Sequence, residues 1–168
     1  MPLTPNALPF QPPTLAAPFD AALAFGTNAA AETKTETGYF GAPTTLDIGQ
    51  GRVVGEWVIS ITALDQTTGD ENYTFHLLGS NDVAWANGNV ELLQSQNFGG
   101  ASGRGIATIP GATPAPGAPA YGPAGTRNQF PFANMKSGIV YRYLRCYAVI
   151  GGTTPSITAN TWIAYGGC

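Results

Sequence analysis

Very little of this chain is charged: 10% of its 168 residues, against about 25% in an ordinary soluble domain. The small acidic net charge of −3 gives no electrostatic grip on a phosphate backbone, which argues against DNA or RNA as a direct partner. Histidine occurs once, as His76, and cysteine twice, as Cys146 and Cys168, at a spacing that fits no zinc or redox motif. The sequence therefore offers no disulfide framework, and leaves open whether these two cysteines pair. It also has no run of about 18 apolar residues, and the opening MPLTPNALPFQPP lacks a basic start and a continuous apolar stretch. The expectation is a protein that neither spans a membrane nor is secreted by the usual route. A surface this poor in charge suits a chain packed against neighbours better than a free monomer.

What the chain has is proline, glycine and short apolar runs. Residues 1–35 hold six of the fourteen prolines, and proline removes backbone donors that helices and central strands need. This segment is predicted to be an extended arm, with a short helix over Phe19–Phe25 as an alternative. Leu3, Leu8, Phe10, Leu15 and Phe19 lie between its prolines. A solvated linker has little use for such side chains, so they are candidate docking contacts of the arm.

The remainder, 36–168, reads as one all-β domain of eight or nine strands separated by Gly, Asn, Asp and Pro clusters. Within 52–64 (RVVGEWVISITAL), Trp57, Ile59, Ile61 and Ala63 alternate with Val58, Ser60 and Thr62, the two-residue period of a strand. Residues 72–79 (NYTFHLLG) place Tyr73, Phe75 and Leu77 on one side and are expected to pair with 52–64 through the turn DQTTGDE. Short strands are expected at 90–94 and 106–109. A surface loop is expected at 110–125, where five prolines fall. Long strands return at 138–150 and 156–165. The former carries bulk on both faces, Leu144, Cys146 and Ala148 against Tyr143, Arg145 and Tyr147, which marks a central strand. Trp57, Ile59, Ile61, Phe75, Leu77 and Leu144 are the candidate core. An antiparallel chain of this kind fits a two-sheet sandwich, of which the jelly roll is the leading form at this length.

No motif points to catalysis. His76 lies on the strand face opposite Phe75 and Leu77, with no nucleophile motif elsewhere in the chain. Asp65, Asp70, Glu71 and Asp82 match no calcium-loop spacing and suit turn chemistry. Arg142 and Arg145 are interleaved with tyrosines as in a base-stacking platform, but their odd separation predicts opposite faces of a strand. Asn72-Tyr73-Thr74 is a glycosylation triplet without secretory context, and GQGRVVG lacks the glycine spacing of a dinucleotide site. No catalytic residue, cofactor or metal is expected.

The stretches LDIGQGR, ENYTFHLLGSND and RYLRCYAVIGGTTPSI, within about 39–165, resemble the jelly-roll cement or decoration proteins of tailed bacteriophages, of the Bordetella podophage type. The resemblance implies a non-enzymatic structural protein of the virion, bound to the outer surface of the capsid after assembly in the host cytoplasm. Its partners would be a major capsid protein of the HK97-like fold and further copies of itself, as a dimer or trimer. It transfers no functional residue. A carbohydrate- or receptor-binding β-sandwich of a virion is the rival reading, with Trp57, Trp85 and Trp162 as its aromatic candidates. A cupin-like enzyme is disfavoured by the single histidine.

Overall fold

Alternating β-branched and aromatic residues favour a pleated, half-buried backbone, and strands dominate the fold. The computed structural model describes residues 20–26, 31–41, 44–65, 67–86, 89–98 and 126–165. The expected arm contacts Leu3, Leu8, Phe10, Leu15 and Phe19, the strand at 106–109 and the loop at 110–125 lie outside the described residues.

Two antiparallel sheets face one another. One runs in the order β1 (Glu32–Lys34), β11 (Ile157–Ala164), β4 (Val54–Leu64), β7 (Thr126–Ala133). The other runs β2 (Gly38–Tyr39), β10 (Tyr143–Gly151), β5 (Asn72–Ser80), β6 (Glu91–Phe98), with β3 (Leu46–Asp47) also paired to β10. A separate hairpin joins β8 (Met135–Lys136) to β9 (Ile139–Val140). The strand β10 is central, flanked by β5 on one side and by β2 and β3 on the other. Pro131 is accommodated because β7 is an edge strand, where the missing N–H leaves no ladder bond unmade.

The core lies between the sheets. Trp57, Ile59, Ile61, Ile157, Ala159 and Ile163 face Phe75, Leu77, Leu144, Cys146 and Ala148, all fully buried. An aromatic chain crosses it: Phe40 stacks on Phe75 at 5.1 Å, Phe75 meets Phe98 at 5.6 Å, and Phe98 and Trp57 each lie 6.2 Å from Phe130. Since Phe98 ends β6 and Phe130 lies in β7, this chain closes one open side of the sandwich.

Four expectations are corrected. First, β4 and β5 do not pair; the segment between them carries the chain from one sheet to the other. Its acidic residues knot the turn: the buried Glu71 carboxylate accepts the Thr68 and Gly69 N–H groups at 3.0 and 2.8 Å, and Asp70 accepts the Thr153 N–H and hydroxyl from the neighbouring β10–β11 turn. That close approach requires glycine at 152, where φ is +109° and a Cβ would meet the Glu71 Cα at 2.6 Å. Second, Ala63 is exposed, because a bulge opposite Thr158/Ala159 moves the inward position from Ile61 to Leu64. Third, the long run 138–150 is two strands, broken at Tyr141 and Arg142.

Fourth, the boundary expected at residue 35 falls inside the sandwich. Asp20 caps a short 3-10 turn, η1 (Ala21–Leu23), and Ala24 then bridges Trp162 while the Phe25 N–H donates to the Thr161 carbonyl at 2.9 Å. Phe25 is fully buried in the main core. Ala24 joins Val58, Trp162 and Ala164 in a smaller apolar cluster. Residues 24 and 25 therefore occupy the same edge of β11 that β1 covers further along.

Candidate interaction surface

The strand register places one side-chain set of the five-stranded sheet on the side away from the core. Leu144, Cys146 and Ala148 point inward from β10, so Tyr143, Arg145, Tyr147 and Val149 point outward. Tyr147 pairs with Tyr39 and with His76, and Arg145 pairs with Leu78, which puts all of these on the same outer face. Tyr39 and Tyr147 meet edge to face at 5.0 Å.

Arg145 is fixed on this face. Its guanidinium carbon lies 5.3 Å from the Tyr39 ring centre and 4.5 Å from that of Trp85, and its Nε donates to the Thr45 hydroxyl at 2.7 Å. Trp85 reaches it from the segment after β5. There Asp82 accepts the Ala84 and Ala86 N–H groups at 2.8 and 3.1 Å, while the Ser80 hydroxyl accepts the Asp82 N–H. These bonds also hold the Asp82 carboxyl below its ordinary pKa. They turn the chain tightly enough that Trp85 takes a left-handed φ of 54°, a conformation a bulky side chain rarely adopts.

Arg142 belongs to the same neighbourhood, which corrects the expectation of opposite faces. It precedes β10, so strand alternation does not govern it. Its Nε and Nη2 bind the two Asp47 carboxylate oxygens at 2.8 and 2.6 Å, and its guanidinium lies 5.1 Å from the Tyr143 ring. The ion pair lowers the Asp47 pKa to about 2. Arg142 is thus neutralised within the chain.

His76 lies half-buried on this face with its Nδ1 buried and unpartnered, and desolvation lowers its pKa. Asp65 accepts the Thr67 N–H and hydroxyl, so its carboxylate, like those of Asp70, Glu71 and Asp82, is engaged by turn groups. Among the described residues no group of three or more His, Cys, Asp or Glu is arranged to hold a metal. Of the tryptophans named as sugar-stacking candidates, Trp57 is fully buried and Trp162 and Trp85 are 2% and 8% exposed.

At the adjoining end of the sandwich, a cleft of about 400 Å³ is lined by Asn81, Asp82, Asn89, Val90, Ile139 and Tyr141, among others. Asn134, which sequence reasoning missed, builds this end. It is fully buried; its Oδ1 accepts the Val53 N–H at 2.7 Å and its Nδ2 donates to the Gly51 and Tyr141 carbonyls at 3.0 and 2.8 Å. Lys136 then ties the β8–β9 hairpin to β6, donating to the Glu91 carboxylate and to the Leu92 carbonyl.

The sequence matches no protein-family model and no curated protein.

Proposed function

We propose that this chain is a structural virion protein, a cement or decoration protein bound to the outside of a phage head, where it stabilises contacts between major capsid proteins. The observation that carries the reading is the strand order. If β2 and β3 count as one strand and the β8–β9 hairpin is set aside, the eight remaining strands run 1-8-3-6 in one sheet and 2-7-4-5 in the other. That order supports a jelly roll, the fold the resemblance implies.

The place where the N-terminal segment enters gives further support. Residues 24 and 25 lie against the edge of β11, and the apolar Leu3, Leu8, Phe10, Leu15 and Phe19 precede them in the sequence, which supports an arm that contacts a neighbour. The mechanism is mechanical: each bridge exists only in the assembled shell, so its free energy of binding stabilises the shell by linkage, multiplied over the lattice.

Co-sedimentation with purified heads tests the reading. The full chain is expected to saturate the heads at a fixed ratio and to raise their temperature of disruption. Absence of sedimentation with heads, or saturable binding to a glycan array in its place, refutes it.

A further inference from the structure

Arg145 is held firmly on this face and, among the described residues, has no carboxylate partner. Among the described residues the ion pairs join Lys34 to Glu32, Lys136 to Glu91 and Arg142 to Asp47. Arg145 is held by two aromatic rings and a threonine hydroxyl. Its Nε is used; its terminal nitrogens make no hydrogen bond within the described part of the chain. An arginine whose plane is fixed in advance loses little freedom on binding and presents a fork that matches a carboxylate.

Two further polar groups at this spot are unsatisfied. The Trp85 indole N–H is buried and has no acceptor, in a side chain more than nine-tenths buried and held at a strained backbone angle. His76 Nδ1, one strand position diagonal from Arg145, is also buried without a partner. Strain and unmet hydrogen bonds that are retained together on a rigid element are a feature of binding surfaces.

We propose that the outer face of the five-stranded sheet, centred on Arg145, is a protein-docking surface that takes an aspartate or glutamate side chain of the partner into the Arg145 guanidinium, with the buried Trp85 ring holding that guanidinium in place. In the reading above the partner is the capsid shell, and the inference rests on that reading. Tyr39, Tyr143, Tyr147 and Arg145 are partly exposed on this face, and tyrosine and arginine are among the residue types that dominate binding energy at protein interfaces. A sugar is the weaker fit, because a cation already covers a ring face of Tyr39, Trp85 and Tyr143, the faces on which a pyranose would stack. The chain itself is acidic and poor in charge, so an arginine without a carboxylate partner attracts a partner's negative charge with little competition.

The test measures binding of the full-length protein to purified heads at several salt concentrations, for wild type, Arg145→Gln, Arg145→Lys and Val149→Glu. Val149 is an exposed outer-face position of β10, so its glutamate repels an incoming carboxylate without disturbing the core. Melting curves show which variants are folded. Arg145→Gln is expected to weaken binding by about thirtyfold or more and to reduce its salt dependence, with Arg145→Lys recovering part. Val149→Glu is expected to weaken binding while melting like wild type. If wild type binds heads and the folded variants bind equally well, the docking surface is wrong and the proposed function stands. If wild type does not bind heads, both fail. If wild type binds sialyllactose or polygalacturonate and Arg145→Gln loses that binding alone, the face is a glycan site and the protein partner is overturned.

Discussion

Replacing Asn134 by leucine removes three hydrogen bonds while leaving the volume of the site nearly unchanged. The side chain is fully buried and bonds the Val53 N–H, the Gly51 carbonyl and the Tyr141 carbonyl. Gly51 is exposed, so its carbonyl turns to water at little cost; Val53 and Tyr141 are only half exposed. An unpaired buried group costs about 1–3 kcal/mol, so the two give about 2–6 kcal/mol. A domain of this size loses about 2–4 °C of melting temperature per kcal/mol, which predicts a fall of about 4–24 °C in a calorimetric or circular dichroism melt.

Asn134→Asp isolates the donors. It keeps the acceptor for Val53 but sets a carboxylate against two carbonyls, and only the protonated acid can donate to either. The folded pKa of the new group is therefore raised above the ordinary value of about 3.9. Stability tied to such a group is fully present below the unfolded pKa and is lost as pH rises through the folded pKa. The deficit of Asn134→Asp against wild type should accordingly shrink between about pH 7 and about pH 4. A leucine variant that melts within about 2 °C of wild type, or an aspartate variant whose deficit is independent of pH, refutes this account of Asn134.

Trp57→Ala empties a fully buried tryptophan site and removes the 2.8 Å bond from its indole N–H to the buried Thr161 hydroxyl. The expected loss is about 3–5 kcal/mol in a denaturant titration, and a loss below about 1 kcal/mol contradicts the core packing. Asp47, Asp70, Glu71 and Asp82 all have lowered pKa values, Asp47 falling from 3.8 to about 2. Their contribution is present above the unfolded pKa and lost as pH falls through the folded one, so the melting temperature should drop between about pH 4 and pH 2, less steeply in Asp47→Asn. Burial raises the Cys146 pKa and encloses the thiol, so a thiol reagent should modify Cys146 at the rate of unfolding; fast reaction in native buffer contradicts this. Deleting residues 2–19 should leave the melt unchanged and weaken head binding. Deleting 2–30 should also destabilise the fold, because Phe25 is in the core; two equally stable truncations would show that the Phe25 contact is dispensable.

The strands were legible where period and composition agreed. The alternation through Trp57, Ile59 and Ile61 identified β4, and the bulk on both faces of 143–150 identified β10 as central; Trp57, Ile59, Ile61, Phe75, Leu77 and Leu144 are all fully buried. Partnership was not legible, because the same turn residues serve a hairpin within one sheet and a crossing between two. DQTTGDE has the composition of a hairpin turn, yet β4 and β5 belong to different sheets. The bulge that exposes Ala63 was hidden for a similar reason: the alternation continues through the sequence while the pairing jumps from Ile61 to Ala63. Proline also misled at the N-terminal side, where its abundance extended the expected arm across Phe25 and β1. Those residues join the sheet at its edge, although Phe25 reaches the core, and an edge leaves a weak signal.

The outer surface was less legible than the core, because its organisation depends on contacts that no period encodes. The tyrosines and Arg145 on one face of β10 followed from alternation. That Trp85 folds back from the next loop onto Arg145 did not, since it needs the Asp82 turn and a left-handed tryptophan, neither of which residue type favours. Arg142 escapes alternation for the opposite reason: it lies one residue before β10 begins, and its side chain binds Asp47. The two arginines share tyrosine-rich sequence and differ in what neutralises them. Arg142 has its carboxylate within the chain, whereas Arg145 has two rings and an acceptor only for Nε. A charge-poor protein has few such groups, and a cation it immobilises without neutralising, as it does Arg145, is a position at which a partner's charge has a large effect.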